Sequence, residues 1–257
     1  MNIVVCVKQV PDSAAKVVAE DGQVTWGDSP LVLNPWDEYA VEAALIQAEA
    51  AGVDVTVVSV GGESSKEALK TSLAMGCKQA ILVSDPDLQD LDSQSIARIL
   101  AAAIQKIGEV RLAFFGKQAI DGDMAVTGAQ TARVLGWPIL SGASTVEMKG
   151  DDTIRVERAV EEGRQIVEGK LPVVISVSKD IGEPRYPSFM GIRKASRAEI
   201  PVWSLADLGI GVPTPSVRWP EVENPPVREV TTEIISGDSP QEIAAALADK
   251  VIGEKVL

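Results

Sequence analysis

The stretch "VRLAFFGKQAIDGDMAVTGAQTARVLG", residues 110–136, decides how the rest of the chain is read. "VRLAFF" reads as a buried strand, the segment from Gly116 as a loop, and the remainder as a helix ended by Gly136. Gly116 lets the chain turn sharply off the strand. The loop then brings the free N–H groups of a helix's first turn, the Thr127 hydroxyl and the small Gly128 together, a setting that suits a phosphate approaching the backbone. Asp121 and Asp123 stand on a tight turn near the helix start. Capping that helix, worth about 1 kcal/mol, hydroxyl binding and a catalytic carboxylate pair are the roles open to them.

The same strand-loop-helix unit recurs upstream. "IVVCVK" (3–8) reads as a strand. "PWDEYAVEAALIQAEAAG" (35–52) reads as a helix with Asn34 as its cap, Pro35 in its first position, Asp37 and Glu38 at its positive end and Gly52 as its stop. Strands follow at 53–60 and 79–84, and helices at 63–75, closed by Gly76, and 93–107, closed by Gly108. The strands are apolar runs without alternation, as expected when both sheet faces are covered. Four such units predict an α/β fold with a doubly wound, mostly parallel sheet. Ligands of these folds lie outside the carboxyl ends of the strands. Residues 6–13, 34–37, 60–62 and 116–127 should therefore be neighbours.

The chain has 257 residues, 46% of them hydrophobic, enough for a sizeable core. It contains no histidine, which removes the commonest general base and most zinc and haem sites. Its two cysteines, Cys6 and Cys77, sit in apolar surroundings and read as buried thiols. A net charge of −13 disfavours nucleic acid and anionic membranes as partners. No apolar run approaches the roughly 20 residues that span a bilayer. "MNIVVCVKQVPDS" lacks the basic start of a signal peptide, so a cytoplasmic location is expected.

Beyond Pro138 the pattern changes. Residues 144–169 alternate with period two and carry turn signals at Gly150-Asp151 and Glu162-Gly163, predicting an antiparallel excursion. "LPVVISVS" (171–178) reads as a return to the main sheet, and 182–201 as a loop punctuated by glycine and proline. A proline-rich arm (211–227) and a helix at 239–252 follow. The expected organisation is a nucleotide-binding domain at 1–210 and a C-terminal arm at 211–257 draped over another surface.

No G-x-G-x-x-G follows the first strand, and no P-loop or EF-hand motif is present. What is present is "LNPWDEYAVEAAL", "LAMGCKQAILV", "GKQAIDGD", "VERAVEEGRQIVEGKLPVVIS" and "EPRYPSFMGIRKA", in that order. Together they resemble the beta (small) subunit of electron transfer flavoprotein over the chain to about residue 210. The resemblance implies an obligate heterodimer in which an alpha subunit binds most of the FAD. The beta subunit buries an AMP and helps shelter the flavin. The implied AMP pocket is Cys6, Asn34, Pro35, Trp36, Asp37, Val60, Gly116, Lys117, Gln118, Ala119, Ile120, Asp121, Gly122, Asp123, Met124, Ala125, Val126 and Thr127. Trp36 stands where the family usually has an aromatic residue near the flavin edge; as sequence alone it reads equally as a core aromatic. In electron-bifurcating branches a second FAD replaces AMP. The segment "SIARILA" (95–101) resembles the AMP-bearing branch, whereas Gly122 also occurs in the bifurcating one.

On an acidic chain the segment "EPRYPSFMGIRKASRAEIP" (183–201) is conspicuously basic. It reads either as a solvated loop or as a docking loop, with an apolar centre ringed by charges that steer partners. The resemblance favours docking, through Arg185, Tyr186, Phe189, Met190, Arg193, Lys194 and Arg197; Phe189 replaces the family's usual leucine. The implied role is an electron carrier, without catalytic residues or a metal site of its own. It would take electrons from acyl-CoA or related dehydrogenases and pass them to a membrane quinone oxidoreductase. A free-standing adenine-nucleotide-binding protein is the alternative of another class.

Overall fold

The computed structural model describes residues 1–88, 91–219, 221–227 and 231–255. Strand β1 (Asn2–Cys6) is followed by four short strands, β2 (Gln9–Pro11), β3 (Val18–Glu20), β4 (Gln23–Thr25) and β5 (Leu31–Leu33). Then come α1 (Pro35–Ala51), β6 (Val55–Val60), α2 (Lys66–Met75), β7 (Gln79–Val83), α3 (Ser93–Ile107), β8 (Val110–Gly116) and α4 (Thr127–Leu135). The second half holds β9 (Ile139–Lys149), β10 (Thr153–Val160), β11 (Gly163–Lys170), β12 (Val173–Val177), α5 (Phe189–Ala195), β13 (Val202–Trp203) and α6 (Pro240–Gly253).

Among the described residues nine strands form one sheet in the order β11-β10-β9-β12-β8-β1-β6-β7-β13. From β12 to β13 every pairing is parallel. Alternate residues of each central strand enter opposite cores. Ile3, Val5, Leu112 and Phe114 pack with α1 and α2, while Val4, Cys6, Ala113 and Phe115 pack with α3 and α4. Full burial of a side chain such as Phe114 contributes about 1.5–3 kcal/mol. This two-sided burial is why the strands read as unbroken apolar runs.

Strand order reverses at β1: β6 and β7 lie to one side and β8 to the other. The chain leaving β1 reaches α1 on one face, and the chain leaving β8 reaches α4 on the other. A crevice at the carboxyl ends of β1 and β8 follows from this topology. The excursion stays within the main sheet. The first residues of β9 run parallel to β12, and its later ones pair antiparallel with β10, which pairs with β11.

Several expectations need correction. The second helix opens with a 3-10 turn at Glu63–Ser65. The 182–201 segment is not all loop: α5 lies in it, capped by the Ser188 hydroxyl, which accepts from Gly191 N at 2.9 Å. Gly191 does not break this helix, because the missing Cβ lets it pack against the backbone of Ala74 in α2. Residues 9–33, given no elements in the sequence reading, form two small antiparallel pairs, β2 with β5 and β3 with β4. Asp21-Gly22, both with positive φ, turns the second pair.

The chain divides into two compact units, Met1–Val222 and Glu223–Leu257. The first stretch of the arm belongs to the first unit: Ser216 N and Val217 N donate to Asp92 at 2.7 and 3.0 Å. In the second unit, Ser239 caps α6 and Glu233 pairs with Lys250. Pro220 and residues 228–230 of the arm lie outside the described residues. Among the described residues no helix is long and apolar enough to cross a membrane.

Candidate functional site

At the end of β1 the chain passes into Lys8, whose N–H donates to Asp37 Oδ2 at 2.7 Å. Its ammonium reaches Asp121 Oδ2 at 2.6 Å. Asn34 bridges from the other direction: its amide donates to Gln118 O at 2.8 Å and accepts from Ile120 N at 3.3 Å. These bonds tie the ends of β1 and β8 to the start of α1; the Lys8–Asp37 bond spans 29 residues, and those to the loop after β8 span 84 or more. The fourth segment stands alongside: Gln9 donates to Ser64 O at 2.9 Å, and Gly61 N to Val83 O at 3.0 Å. Val60 is half-buried at the end of β6, the strand beside β1.

The structure thus brings Cys6, Asn34, Pro35, Trp36 and Asp37 to the beginning of the 116–127 loop. Asn34 occupies the cap position of α1 but makes no side-chain cap bond; its amide holds the facing loop instead. Asp121 and Asp123 do not cap α4 either. That helix has Val126 as its cap residue and no side-chain acceptor. Asp121 is held by Lys8, and Asp123 accepts from Gln118 Nε2 at 2.7 Å. Asp123 and Ala125 both take positive φ, which turns the loop before the helix can start. Lys117, Asp121, Gly122, Asp123, Met124 and Ala125 are exposed, whereas Gln118, Ala119, Ile120, Val126 and Thr127 are half-buried.

Gly116 has a different physical role from the expected sharp turn. Its φ is not left-handed; a Cβ there would lie 2.7 Å from Trp36 C and O and would also strike the Asp37 side chain. Glycine is required for close approach between β8 and α1. The Asp37 carboxyl is buried, and burial pushes its pKa up to about 7. The Lys8 N–H, the Asn34 side chain, the Gly116 N–H and the Lys8 charge oppose that rise. Burial and the neighbouring Asp37 carboxylate push the Cys6 thiol up as well, so it stays protonated.

Beside this network a cleft of about 460 Å³ is lined by Ser13, Pro35, Trp36, Tyr39, Ile120 and Lys179. Trp36 is half-buried, its ring 6.4 Å from that of Tyr39 and 5.2 Å from the Lys117 ammonium. Among the described residues Gln130 Oε1 on α4 is buried without a partner. Lys8, which links two aspartates, was missed in sequence; the signal for it is a lone cation at the end of an apolar strand. The set at 185–197 lies on and on either side of α5, which packs on α2. There Tyr186, Phe189 and Met190 are 95, 80 and 69% exposed, and Arg193, Lys194 and Arg197 are exposed too. Arg185 is the exception, folded onto Glu42 and Glu49 of α1.

The fold and its crevice define a doubly wound, mostly parallel α/β protein. The electron transfer flavoprotein domain matches residues 24–208. The electron transfer flavoprotein subunit beta of Megasphaera elsdenii is 35% identical over 271 aligned residues, covering 100% of both chains. The mouse protein of the same name is 35% identical, with 97% of each chain covered. Subunit CarD of the caffeyl-CoA reductase–Etf complex of Acetobacterium woodii is 34% identical, with 98% of each covered. The chain belongs to the electron transfer flavoprotein family, among its beta subunits.

Proposed function

We propose that this chain is the small subunit of a heterodimeric electron transfer flavoprotein, and that its crevice holds AMP. The convergence of the loops after β1, β6 and β8 with the start of α1 carries the reading. The α4 N-terminus offers first-turn N–H groups with no side-chain cap, beside the Thr127 hydroxyl, as a seat for phosphate. The buried, unpaired Gln130 Oε1 on α4 leaves an acceptor to meet the ligand. Trp36 lines the 460 Å³ cleft, and its role in this reading is to stand near the edge of the FAD that the alpha subunit holds. The flavin supplies the redox chemistry, and this chain's residues bind, orient and exclude water.

Electrons then pass from acyl-CoA or related dehydrogenases toward a membrane quinone oxidoreductase. Docking of the dehydrogenase falls to α5. Phe189 and Met190, exposed beside Arg193, Lys194 and Arg197, offer an apolar contact within a basic rim. Charge speeds encounter while one apolar contact orients without long residence. The 211–257 arm holds the alpha subunit, a role supported by exposed Trp219, Val227, Ile234, Leu247 and Ile252.

The test is to co-express the chain with a flavin-binding partner, denature the pure complex and identify the released nucleotides by mass. One AMP and one FAD per heterodimer is the expected result. Two FADs and no AMP would assign the bifurcating form, and no adenylate at all would sink the reading. Elution of the chain as a monomer in the partner's presence would favour a free-standing nucleotide-binding protein.

A further inference from the structure

We propose that Arg185 is a positioning residue: it fastens the segment leading into the docking helix α5 to α1 through a forked ion pair with Glu42 and Glu49, and does not steer the partner. The inference rests on the docking role given to α5 above. Arg185 Nε and Nη2 donate to the two oxygens of Glu42 at 2.8 and 3.0 Å, and the Arg185 backbone N–H adds a bond at 2.9 Å. Nη1 and Nη2 also donate to the two oxygens of Glu49 at 2.6 and 3.3 Å. A planar fork is needed to satisfy two carboxylates at once.

Charge accounting points the same way. One guanidinium faces two carboxylates, so the local sum is negative and Arg185 offers no net positive field to a visitor. Among the described residues Arg193, Lys194 and Arg197 make no ion pair and keep their charges free. The Glu42 carboxylate is buried, and Glu49 lies seven residues, about two turns, further along α1.

The geometry passes from this clamp to the docking face. Only Tyr186, Pro187 and Ser188 separate Arg185 from Phe189, and Pro187 restricts that link. Ser188 caps α5, and Gly191 seats it against the Ala74 carbonyl of α2. Helix α1 also carries Trp36 and Asp37 at its start, so one rigid rod orients both the crevice and the docking helix.

Substitutions in the assembled heterodimer separate positioning from steering. The readouts are reduction of the heterodimer by butyryl-CoA-reduced acyl-CoA dehydrogenase and the salt dependence of kcat/KM. R185K keeps the charge but not the fork, and should raise KM for the heterodimer about tenfold while leaving kcat and the salt slope near wild type. E42Q should raise KM similarly, and R185K/E42Q should be no worse than either alone. A steering role predicts the opposite: R185K like wild type, and E42Q lowering KM by freeing a cation. Either of those results would overturn the proposal. R193Q/K194Q should flatten the salt slope. If that variant and F189A both leave KM unchanged, the docking role itself fails. The clamp is then judged by amide hydrogen exchange over 189–195, which R185K and E42Q should each speed about tenfold; unchanged exchange would overturn it.

Discussion

Replacing Gly116 with alanine tests the construction of the crevice most directly. The added Cβ would lie 2.7 Å from Trp36 C and O, backbone atoms at the start of α1. Ordinary contact begins near 3.4 Å, so β8 and α1 must separate by about 0.7 Å. A shift of that size would stretch the 2.7 Å bond from Lys8 N to Asp37 beyond useful length. Overpacking of this kind costs roughly 1–3 kcal/mol, and loss of a bond to a carboxylate adds about 1.5–3 kcal/mol. The sum is about 2.5–6 kcal/mol, or about 5–24 °C in melting temperature for a domain of this size. Thermal unfolding followed by circular dichroism checks it, with nucleotide content measured on the same samples. Gly62→Ala is the matched control, since Gly62 has extended backbone and open space around its missing Cβ. It should melt within a degree or two of the unaltered chain. If Gly116→Ala did likewise and kept its nucleotide, the close approach of β8 and α1 would not matter and the account of the crevice would be wrong.

Three further outcomes follow from the structure. Because burial holds the Asp37 pKa at about 7, above its ordinary value, its protonated form favours the fold. That contribution is full below about pH 4 and is lost as pH rises through 7; in urea titrations at pH 5 and pH 8, Asp37→Asn should shrink the difference in unfolding free energy, and an unchanged difference would refute the assignment. The Asp92 pKa behaves oppositely: desolvation would raise it, but bonds from Ser95, Ser216 and Val217 hold it down at about 2. Its stabilisation is present above about pH 4 and disappears as pH falls through 2. Asp92→Ala should cost about 1 kcal/mol through loss of the α3 cap and make residues 213–219 cleavable by protease; resistance equal to the parent's would count against the tether. Phe189→Ala removes a side chain 80% exposed, so stability should change by less than about 0.5 kcal/mol. Donor reduction should nevertheless slow at limiting concentrations, and an unaltered KM would remove Phe189 from the docking face.

Local order was largely readable in the chain. The helix at 93–107 has the expected limits, and Gly52, Gly108 and Gly136 stop their helices with positive φ as anticipated. The central strands announced themselves by apolar runs that feed both cores. The gathering of Asn34, Asp37 and the 116–127 loop also followed from topology, since parallel strands place their carboxyl ends along one edge. Misreadings occurred where two local rules competed. Proline and glycine around 184–191 suggested a loop, yet the Ser188 cap and the contact with Ala74 sustain a helix. Asp21-Gly22 is a hairpin signal, and it joins the short strands β3 and β4.

What the sequence by itself determined is the periodicity of the elements, their order and the family motifs, because these depend on residues close together in the chain. What only the tertiary structure decided is which partner each polar group takes. Asn34 abandons its own helix for Gln118, Arg185 reaches back 143 residues to Glu42, and Gly116 is needed for Trp36 rather than for its own φ. Those choices depend on distances between segments far apart in sequence, and such distances exist only once the sheet has closed between its two layers of helices.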